Sequence, residues 1–528
     1  MRLLRIKNTS NVVDLGIDID IDDKTAIGIN IQAYDMKDPS LRKTSFSNTF
    51  NIPKTALNLK AIGYEGGVQS LSNALYNSLY CDYWIDNTQI IKNSKIQVTE
   101  INDRINLFVT IKEDLWDAIK LMTWSQFLTE YLAWKGLGTT QVVGIGTYLD
   151  QFINATDGIV LPFFSSNLAK YAPDEITPVE NGETIYLSYL NGTTSYNGGH
   201  FCIYYKAIFE FLEYKYGVNF LTSAVGVAGN IWDDTYAPLV YCPARALFVS
   251  YVPNGVLSGY YMYNKTNSIY APHGETQDKS EKFLWDVINC FFQSFNIIKD
   301  DLIINNSPVM RLSRFDNIAT QASVIDWSEG IQQVTSFKPV LDGYNQLNKI
   351  TYSSVEDGVN LSQHERIITC GNLNIDAKEN ELFSIDAFIP AFVSVNSGNK
   401  TTVDLSNENS FASPMMLLST STTIGNINIY NIKEGLGYDS IAVPMPVVGI
   451  YSVSTEYNYH NQIVQFPKVY TIKKWLTSND VLNIQFFKKY FINILNGYFF
   501  INKISGFNPD KSNEATTIEL IQLPTLGG

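Results

Sequence analysis

The fold class of this chain is decided by two stretches, Lys95-Ile-Gln-Val-Thr-Glu-Ile101 and Arg104-Ile-Asn-Leu-Phe-Val-Thr-Ile111. Over most of both stretches apolar and polar residues alternate, which is typical of a β-strand with one face toward a core. Asn102-Asp103 between them is a turn sequence, so the two stretches predict an antiparallel hairpin. Immediately upstream, Tyr83-Trp-Ile-Asp-Asn-Thr-Gln-Ile-Ile91 predicts a second hairpin that turns at Asp86-Asn87.

Two further alternating stretches precede these hairpins. Asp14-Leu-Gly-Ile-Asp-Ile-Asp-Ile-Asp22 places its isoleucines on one face and its inner aspartates on the other. Ala26-Ile-Gly-Ile-Asn-Ile-Gln32 alternates in the same way. Successive short strands joined by tight turns predict a small barrel or sandwich in residues 1–111.

Helical spacing appears at four places in the rest of the chain. The sequence predicts helices over residues 113–122, near 201–216 with an end at Gly217, over 278–295 behind a capping box, and over 479–496. Residues 498–504 and 516–523 alternate again and predict two closing strands.

The sequence therefore predicts an α+β, β-rich, multidomain chain of small β-barrels or sandwiches with interspersed helices. The predicted domains are an N-terminal β domain (1–111), a helical connection (112–135), a loop-rich insertion domain (136–275), an α+β middle region (276–470) and a C-terminal helix with strands that complete a β domain (471–528).

The composition indicates which classes of molecule this chain binds. The 528 residues carry 38 basic against 52 acidic side chains, a net charge of −14, and no basic cluster. Nucleic-acid binding depends on lysines and arginines that neutralise phosphates, so we expect no nucleic-acid partner. Only 17% of the residues are charged and 13% are aromatic, including 32 tyrosines. Protein interfaces are enriched in aromatic residues and depleted of charge at their centres, so this composition favours contacts with other protein subunits.

The cysteines and the apolar segments predict the compartment. The five cysteines are scattered and contain no C-x-x-C pair, which indicates buried thiols in a reducing compartment. No signal-peptide pattern opens the chain and no apolar stretch approaches about 20 residues, so we expect neither secretion by a cleaved signal nor a membrane span. The cysteines are Cys81, Cys202, Cys242, Cys290 and Cys370.

One acidic pattern invites a calcium interpretation. Asp18, Asp20 and Asp22 have the spacing that opens an EF-hand loop. Such a loop needs glycine at its sixth position and glutamate at its twelfth, where this chain has Asp23 and Ile29. A solvated strand face is the better interpretation of these aspartates.

Motifs for catalysis and cofactor binding are not found. The four histidines, His200, His273, His364 and His460, share no metal-ligand spacing with each other or with a cysteine. The sequence contains neither a nucleophile elbow nor a phosphate-binding loop. Paired carboxylates for glycoside hydrolysis stay open, because their separation is spatial. We therefore expect no enzyme, and we assign no catalytic residue, cofactor or metal ligand.

One polar segment is distinctive: Leu41-Arg-Lys-Thr-Ser-Phe-Ser-Asn-Thr-Phe-Asn-Ile-Pro-Lys-Thr55. One interpretation is an extended loop or edge strand between two barrel strands. The other is a segment that docks on a neighbouring subunit. The candidate docking residues are Phe46, Asn48, Phe50, Ile52 and Pro53.

This segment resembles a run near the start of structural tail proteins from bacteriophages and prophages of Bacteroidetes hosts. The resemblance extends to Ile325-Asp-Trp-Ser-Glu-Gly330 with Tyr344-Asn-Gln-Leu-Asn348, and to Gly497-Tyr-Phe-Phe-Ile-Asn-Lys-Ile504 with Thr517-Ile-Glu-Leu520. These stretches lie near both ends and in the middle of the chain. They are specific to a kind of protein and not to a reaction.

Among tail components, the layout looks most like a baseplate or tail-tip hub protein. The resemblance implies a virion protein, made in the host cytoplasm, that forms a homo-oligomeric ring, commonly a trimer, and contacts other phage tail proteins. Residues 136–275 depart from the hub plan and leave the position in the tail open. The alternatives are a receptor- or polysaccharide-binding tail protein, suggested by Tyr204-Tyr205 and Tyr260-Tyr-Met-Tyr263, and a tail-associated wall-degrading enzyme.

Overall fold

A computed structural model describes most of the chain outside two long regions of sparse coverage. The described residues are 2–8, 15–32, 34–39, 45–64, 77, 79–110, 114–136, 157–160, 165–166, 187–191, 194–198, 202–221, 239–241, 248–251, 259–262, 283–301, 309–352, 366–385, 392–396, 400–404, 415–423, 427–429, 437–439, 442–446, 457–511 and 513–524.

Strands account for most of the described elements. Those of residues 2–110 are β1 (Arg2–Lys7), β2 (Ile17–Asp18), β3 (Ile29–Ile31), β4 (Phe46–Ser47), β5 (Phe50–Pro53), β6 (Leu79–Ile85), β7 (Thr88–Ile101) and β8 (Arg104–Thr110). Those of residues 159–262 are β9 (Ile159–Val160), β10 (Ser165–Ser166), β11 (Leu187–Asn191), β12 (Thr194–Gly198), β13 (Cys202–Tyr204), β14 (Asn219–Leu221), β15 (Leu239–Tyr241), β16 (Phe248–Tyr251) and β17 (Gly259–Met262). Those of residues 297–446 are β18 (Ile297–Asp301), β19 (Val309–Arg314), β20 (Val324–Asp326), β21 (Ile331–Lys338), β22 (Leu347–Tyr352), β23 (Arg366–Thr369), β24 (Glu379–Ile385), β25 (Phe392–Asn396), β26 (Lys400–Asp404), β27 (Met415–Thr423), β28 (Ile427–Ile429), β29 (Gly437–Asp439) and β30 (Ala442–Pro446). The last four are β31 (Val469–Lys474), β32 (Lys489–Ile492), β33 (Gly497–Phe507) and β34 (Thr516–Gln522).

The helices are short and lie between the strands. They are α1 (Ala56–Ala61), α2 (Asp114–Leu121), α3 (Trp124–Trp134), α4 (Tyr205–Tyr216), α5 (Leu284–Ser294), α6 (Phe315–Thr320), α7 (Asn458–Gln465), α8 (Ser478–Leu482) and a 3₁₀ helix (Asn493–Leu495). None of the helices in the described ranges combines the length and apolar character that a bilayer crossing requires.

The β-rich α+β class is confirmed. The described strands form seven sheets, of which the largest has 14 strands, and none of them closes into a barrel. The main path of the large sheet runs β2-β1-β6-β7-β8-β4-β3-β33-β34-β31-β21, with β5, β20 and β32 attached beside it. The smaller sheets are β10-β26-β25, β12-β11-β28-β29, β30-β27-β15-β13-β9, β14-β19-β18, β16-β17 and β23-β22-β24. The domain boundaries stay predictions.

Both hairpins predicted in residues 83–111 are confirmed. β6 and β7 are joined at Asp86-Asn87, whose φ angles of 45° and 67° are those of a type I′ turn. β7 and β8 pair up to Ile101↔Ile105 across the second predicted turn. Short polar residues that tolerate positive φ therefore set the register of this part of the sheet.

The first and last parts of the chain complete one sheet. β3 pairs antiparallel with β33, with Ile29 opposite Phe507 and Ile31 opposite Ile504. Arg2 adds a salt bridge to Asp510 at 3.1 Å, and the Tyr83 hydroxyl donates to the same carboxylate. The predicted closing strands, residues 498–504 and 516–523, are confirmed as β33 and β34.

The helix predicted over residues 479–496 is wrong in most of its length. The helix α8 ends at Leu482, and Lys489–Ile492 is a strand instead. β32 lies between β33 and β20, with Phe491 opposite both Tyr498 and Asp326. The aromatic residues at helical spacing fit this strand and its flanking turns equally well. Pairing with β33, which follows directly, and with the distant β20 decided the outcome.

Three other predicted elements are shorter than expected. In residues 15–22, the described part of the stretch 14–22, only Ile17–Asp18 is a strand, because the backbone of Asp20 bonds to the Asn58 side chain and not to a neighbouring strand. The helix near 201–216 starts at Tyr205, and its predicted end at Gly217 is confirmed by a φ of 61°. The helix predicted over 278–295 begins at Leu284, and the predicted capping box at 278–281 lies outside the described residues.

The helices pack around an aromatic core. The ring of Trp116 in α2 lies 5.2 Å from Trp285 and 5.9 Å from Phe292, both in α5. Phe127 in α3 meets Phe211 in α4 edge-on at 5.2 Å. These buried rings fix the helices against each other, since aromatic pairs add about 1 kcal/mol each beyond the area they bury.

Candidate docking surfaces

The predicted docking segment lies largely inside the chain's own sheet. Phe50 and Ile52 in β5 are only 3% and 0% exposed and pair with β8. The Phe46 ring in β4 is partly exposed and packs on Phe108 at 5.9 Å. In this conformation two of the apolar candidates, Phe50 and Ile52, are therefore used by the chain itself.

Asn48 ties this segment to the shared sheet. Its N–H donates to the Gly28 carbonyl at 2.6 Å, and its side-chain oxygen accepts from the Asn30 amide at 2.7 Å. The Asn30 oxygen in turn accepts from the N–H of Gly506 in β33 at 3.1 Å. The edge-strand interpretation of residues 41–55 accounts for these contacts. Docking on a neighbour stays a prediction, for which Phe46, Asn48 and Pro53 are the candidates with exposed surface.

The aspartates of the stretch 14–22 are bound by groups of this chain. Asp18 receives Nε and Nη2 of Arg5 at 2.6 and 3.1 Å. Asp22 receives two N–H groups of Arg104, both at 2.8 Å. Hydrogen bonding from the Arg104 guanidinium holds the pKa of the Asp22 carboxyl well below its ordinary value.

Side chains that could ligate a metal are dispersed over the described part of the chain. In the ranges that the structure describes, no three His, Cys, Asp or Glu side chains are arranged to hold a metal ion. His200, His273 and His364 lie outside the described residues, as does Cys242. The thiols of Cys81, Cys290 and Cys370 are buried.

The remaining histidine, His460 in α7, lies at a buried polar junction. Its Nδ1 is 3.3 Å from the Tyr34 hydroxyl, and its Nε2 is 2.7 Å from the Tyr344 hydroxyl. Tyr344 also contacts the Met36 carbonyl at 2.8 Å, and Tyr34 contacts the Asn296 side-chain oxygen at 3.1 Å. We call these five residues the His460 junction. It connects the segment after β3, the end of α5, the turn before β22 and α7.

Counting protons gives the direction of two of these hydrogen bonds. A carbonyl oxygen can only accept, so the single proton of the Tyr344 hydroxyl goes to Met36. His460 Nε2 must then carry a proton and donate it to Tyr344. Burial raises the pKa of the Tyr344 hydroxyl well above its ordinary value, which keeps that proton in place.

One end of the large sheet carries an exposed strand, β21. Among the described residues β21 pairs only with β31, and six of its eight side chains are exposed. Ile331 and Val334 are its two half-buried residues and pack on the core. We call the side of β21 that faces away from β31 the β21 edge.

The sequence pattern does not predict β21, because the strand contains two bulges. The register shifts between Ile331 and Gln333 and again between Val334 and Ser336. Each bulge inserts one residue, so Ile331, Val334 and Phe337 recur every third residue instead of every second. The alternation that reveals other strands is absent here, and only the bulged spacing of apolar residues could have indicated this one.

Exposed apolar side chains surround the end of β21. Phe337 is 50% exposed and lies 5.0 Å from the Tyr470 ring. Leu373 and Phe466 are 83% and 68% exposed. The Asn372 side chain donates to the Pro339 carbonyl at 3.0 Å, which brings Leu373 to the end of β21. Exposed apolar side chains therefore occur near the end of β21, and exposed apolar patches are typical of interaction sites.

The tyrosine pair suggested as a sugar platform is buried. Tyr204 and Tyr205 are 5% and 0% exposed, and the Tyr205 ring stacks on Phe291 at 4.8 Å. A platform at these two residues is therefore wrong, and both rings belong to the core of the chain. Gly259–Met262 is a strand, while Tyr263 lies outside the described residues.

Comparison with known proteins gives matches among solved structures alone. No protein-family model and no curated protein sequence matches the chain. The 43 kDa tail protein of prophage MuSo2 from Shewanella oneidensis aligns at 8% identity and a TM-score of 0.34, over 98% of both chains. A tail protein from Neisseria meningitidis MC58 aligns at 8% and 0.32, over 99% of this chain and 95% of that one. Prophage tail protein gp18 from Listeria monocytogenes EGD-e aligns at 6% and 0.33, over 98% and 94%. TM-scores below 0.5 do not establish a common fold.

Proposed function

We propose that this chain is a structural component of a bacteriophage tail, of the baseplate or tail-tip hub class. It assembles with copies of itself into a ring and docks tube, tip or fibre proteins. The proposal contains no catalytic step, no cofactor and no nucleic-acid contact. Its starting point is the resemblance of residues 41–55, 325–330 and 497–504 to structural tail proteins.

The observation that supports the proposal is a large sheet that is held together by contacts within the chain and has an exposed strand at one end. β3 and β33 join the two ends of the chain, and the His460 junction fixes the segment after β3 to α7. At one end of the same sheet the β21 edge and the exposed Phe337 face solvent. A part of a tail must keep its shape under load and present surface to neighbours, and this arrangement supports both requirements.

Assembly of the purified chain tests the proposal. We expect multi-angle light scattering to give a mass of several subunits, and negative-stain images to show rings. Co-expression with the products of the flanking phage genes is expected to yield complexes that survive size-exclusion chromatography. A stable monomer without affinity for any of these tail proteins would refute the proposal.

The two alternative functions predict different results. A receptor-binding protein would bind host polysaccharide on a glycan array, and a wall-degrading enzyme would clear host cell wall in a zymogram. The buried state of Tyr204 and Tyr205 removes one observation that favoured sugar binding. We expect both assays to be negative for the purified chain.

A further inference from the structure

We propose that the β21 edge is a self-association surface, on which β21 of a second copy of this chain pairs antiparallel about a two-fold axis. The proposal goes beyond the proposed tail function, since a ring closed by head-to-tail contacts needs no two-fold contact. Either proposal can therefore fail without the other.

The β21 edge lacks most of the features that protect edge strands. Exposed edges are commonly protected by charges, by proline, by short length or by bulges, because unpaired N–H and C=O groups attract other strands, and of these features β21 has the bulges. β21 has eight residues, contains no proline, and carries its only charge at Lys338, its last residue. Its exposed middle consists of uncharged polar side chains that tolerate a neighbouring strand.

The start of β21 is fixed in place, which lowers the entropic cost of pairing. The Lys474 ammonium donates to the carbonyls of Trp327 and Glu329 in the turn before β21. The Trp475 N–H donates to the Gly330 carbonyl at 3.0 Å. Gly330 has a φ of 75°, a conformation that favours glycine, so the turn delivers β21 to the edge in one defined direction.

Charge complementarity indicates a second copy as the occupant. Glu329 directly precedes β21, Lys338 ends it, and both are exposed. Antiparallel pairing of two copies brings the acidic start of each strand near the basic end of the other, so that the favourable contact occurs twice. Within the chain Lys338 has a weak partner in Asp342, 3.6 Å away and itself half-exposed.

The twist of β21 also favours a second copy of this chain as the binding partner. The two bulges increase the local twist of β21, and a flat strand would not follow it. A second β21 has the same bulges and the same twist. The exposed Phe337 of each copy also lies at the rim of the paired strands, where it gains apolar contact.

Charge reversal tests the proposal. We expect Lys338→Glu to raise the dimer dissociation constant about tenfold, since two favourable contacts become repulsive. Glu329→Lys should have the same effect, and the double variant should return to within about threefold of the wild type. Lys24→Glu, at an exposed lysine between β2 and β3, changes the net charge equally and is the matched control. Analytical ultracentrifugation over a concentration series measures each constant.

Cross-linking tests the symmetry. Only a two-fold pair places a residue near the middle of β21 opposite its own copy. Pairing Glu329 of one copy with Lys338 of the other puts the two-fold axis between Gln333 and Val334. We therefore expect Gln333→Cys, at an exposed position, to give covalent homodimers with a short bis-maleimide. Wild-type protein and Lys24→Cys give the background.

Three outcomes would overturn the proposal. The first is a wild-type chain that is monomeric at all concentrations. The second is an oligomer whose mass and stability are unchanged by both charge reversals. The third is cross-linking at Gln333→Cys only to a different tail protein. The second and third outcomes leave the proposed tail function intact.

Discussion

Replacing Tyr344 with Phe removes a single hydroxyl from the His460 junction and keeps the ring. The hydroxyl donates to the Met36 carbonyl at 2.8 Å and accepts from His460 Nε2 at 2.7 Å. All three residues are buried. In the variant, a buried carbonyl and a buried imidazole N–H each lose this partner.

The loss of stability follows from the Met36 carbonyl and the His460 N–H, which each lose a hydrogen-bond partner. A buried polar group without a partner costs about 1–3 kcal/mol, so the two groups together predict a loss of about 2–6 kcal/mol. Since 1.4 kcal/mol corresponds to a factor of ten, an opening of this junction should become at least about thirtyfold more frequent. The effect should be local at first, because the junction connects segments that the large sheet also holds.

Hydrogen–deuterium exchange of peptides that contain Met36 and His460 measures this effect directly. The Met36 N–H donates to the Asn502 side chain at 3.0 Å and reports on the attachment of this segment to β33. Tyr470→Phe is the matched control, because Tyr470 is a partly buried tyrosine whose ring packs on Phe337, outside the His460 junction. We expect that control to change stability by less than about 0.5 kcal/mol.

The reasoning would be refuted if Tyr344→Phe exchanged no faster than Tyr470→Phe. Such a result would mean that water or another group satisfies the Met36 carbonyl and the His460 N–H once the hydroxyl is gone. Faster exchange confined to peptides far from both residues would also contradict the assignment of the hydrogen bonds.

Three further predictions concern the N-terminal strands. Lys7→Met leaves the buried Asp82 without the ammonium that lies 2.8 Å away, and should cost about 3 kcal/mol in thermal unfolding. Asn58→Ala removes three side-chain hydrogen bonds to the backbone of Asp20 and Pro53, and should cost about 2–3 kcal/mol in urea unfolding. Asp22→Asn should lower stability most at neutral pH. Arg104 depresses the folded-state pKa of Asp22. The contact between them therefore contributes its full stability at pH values well above the ordinary pKa of 3.8, and this stability is lost as the pH falls through the folded-state pKa. Wild type and variant should therefore converge in acid unfolding curves.

Local sequence signals predicted the hairpins and missed the long-range pairings. Asp86-Asn87 adopts the positive φ angles that a two-residue hairpin turn needs, so this hairpin follows from a few neighbouring residues. The strand β32 depends on β20, which lies about 165 residues earlier in the chain. No local pattern contains that information, and the aromatic spacing of residues 479–496 was open to a helical interpretation.

The candidate surface was missed for a related reason. The distinctive composition of residues 41–55 pointed to a segment whose Phe50 and Ile52 turn out to be buried. The strand β21 has ordinary polar residues, and what makes it a candidate is its position at the end of the sheet. Position in a sheet is a property of the complete fold, so sequence patterns alone do not indicate it.

The pairing of β3 with β33 also constrains when the large sheet can form during translation. Met36 and Asn502, which bond beside this pair, are 466 residues apart. At about 5–20 residues per second, a ribosome needs about 20–90 s to supply the second after the first. During that time β3 lacks β33, its neighbour in the finished sheet, and nascent chains on one messenger are close together. The edge left open on β3 is therefore a place where premature contact between chains must be avoided until translation is nearly finished.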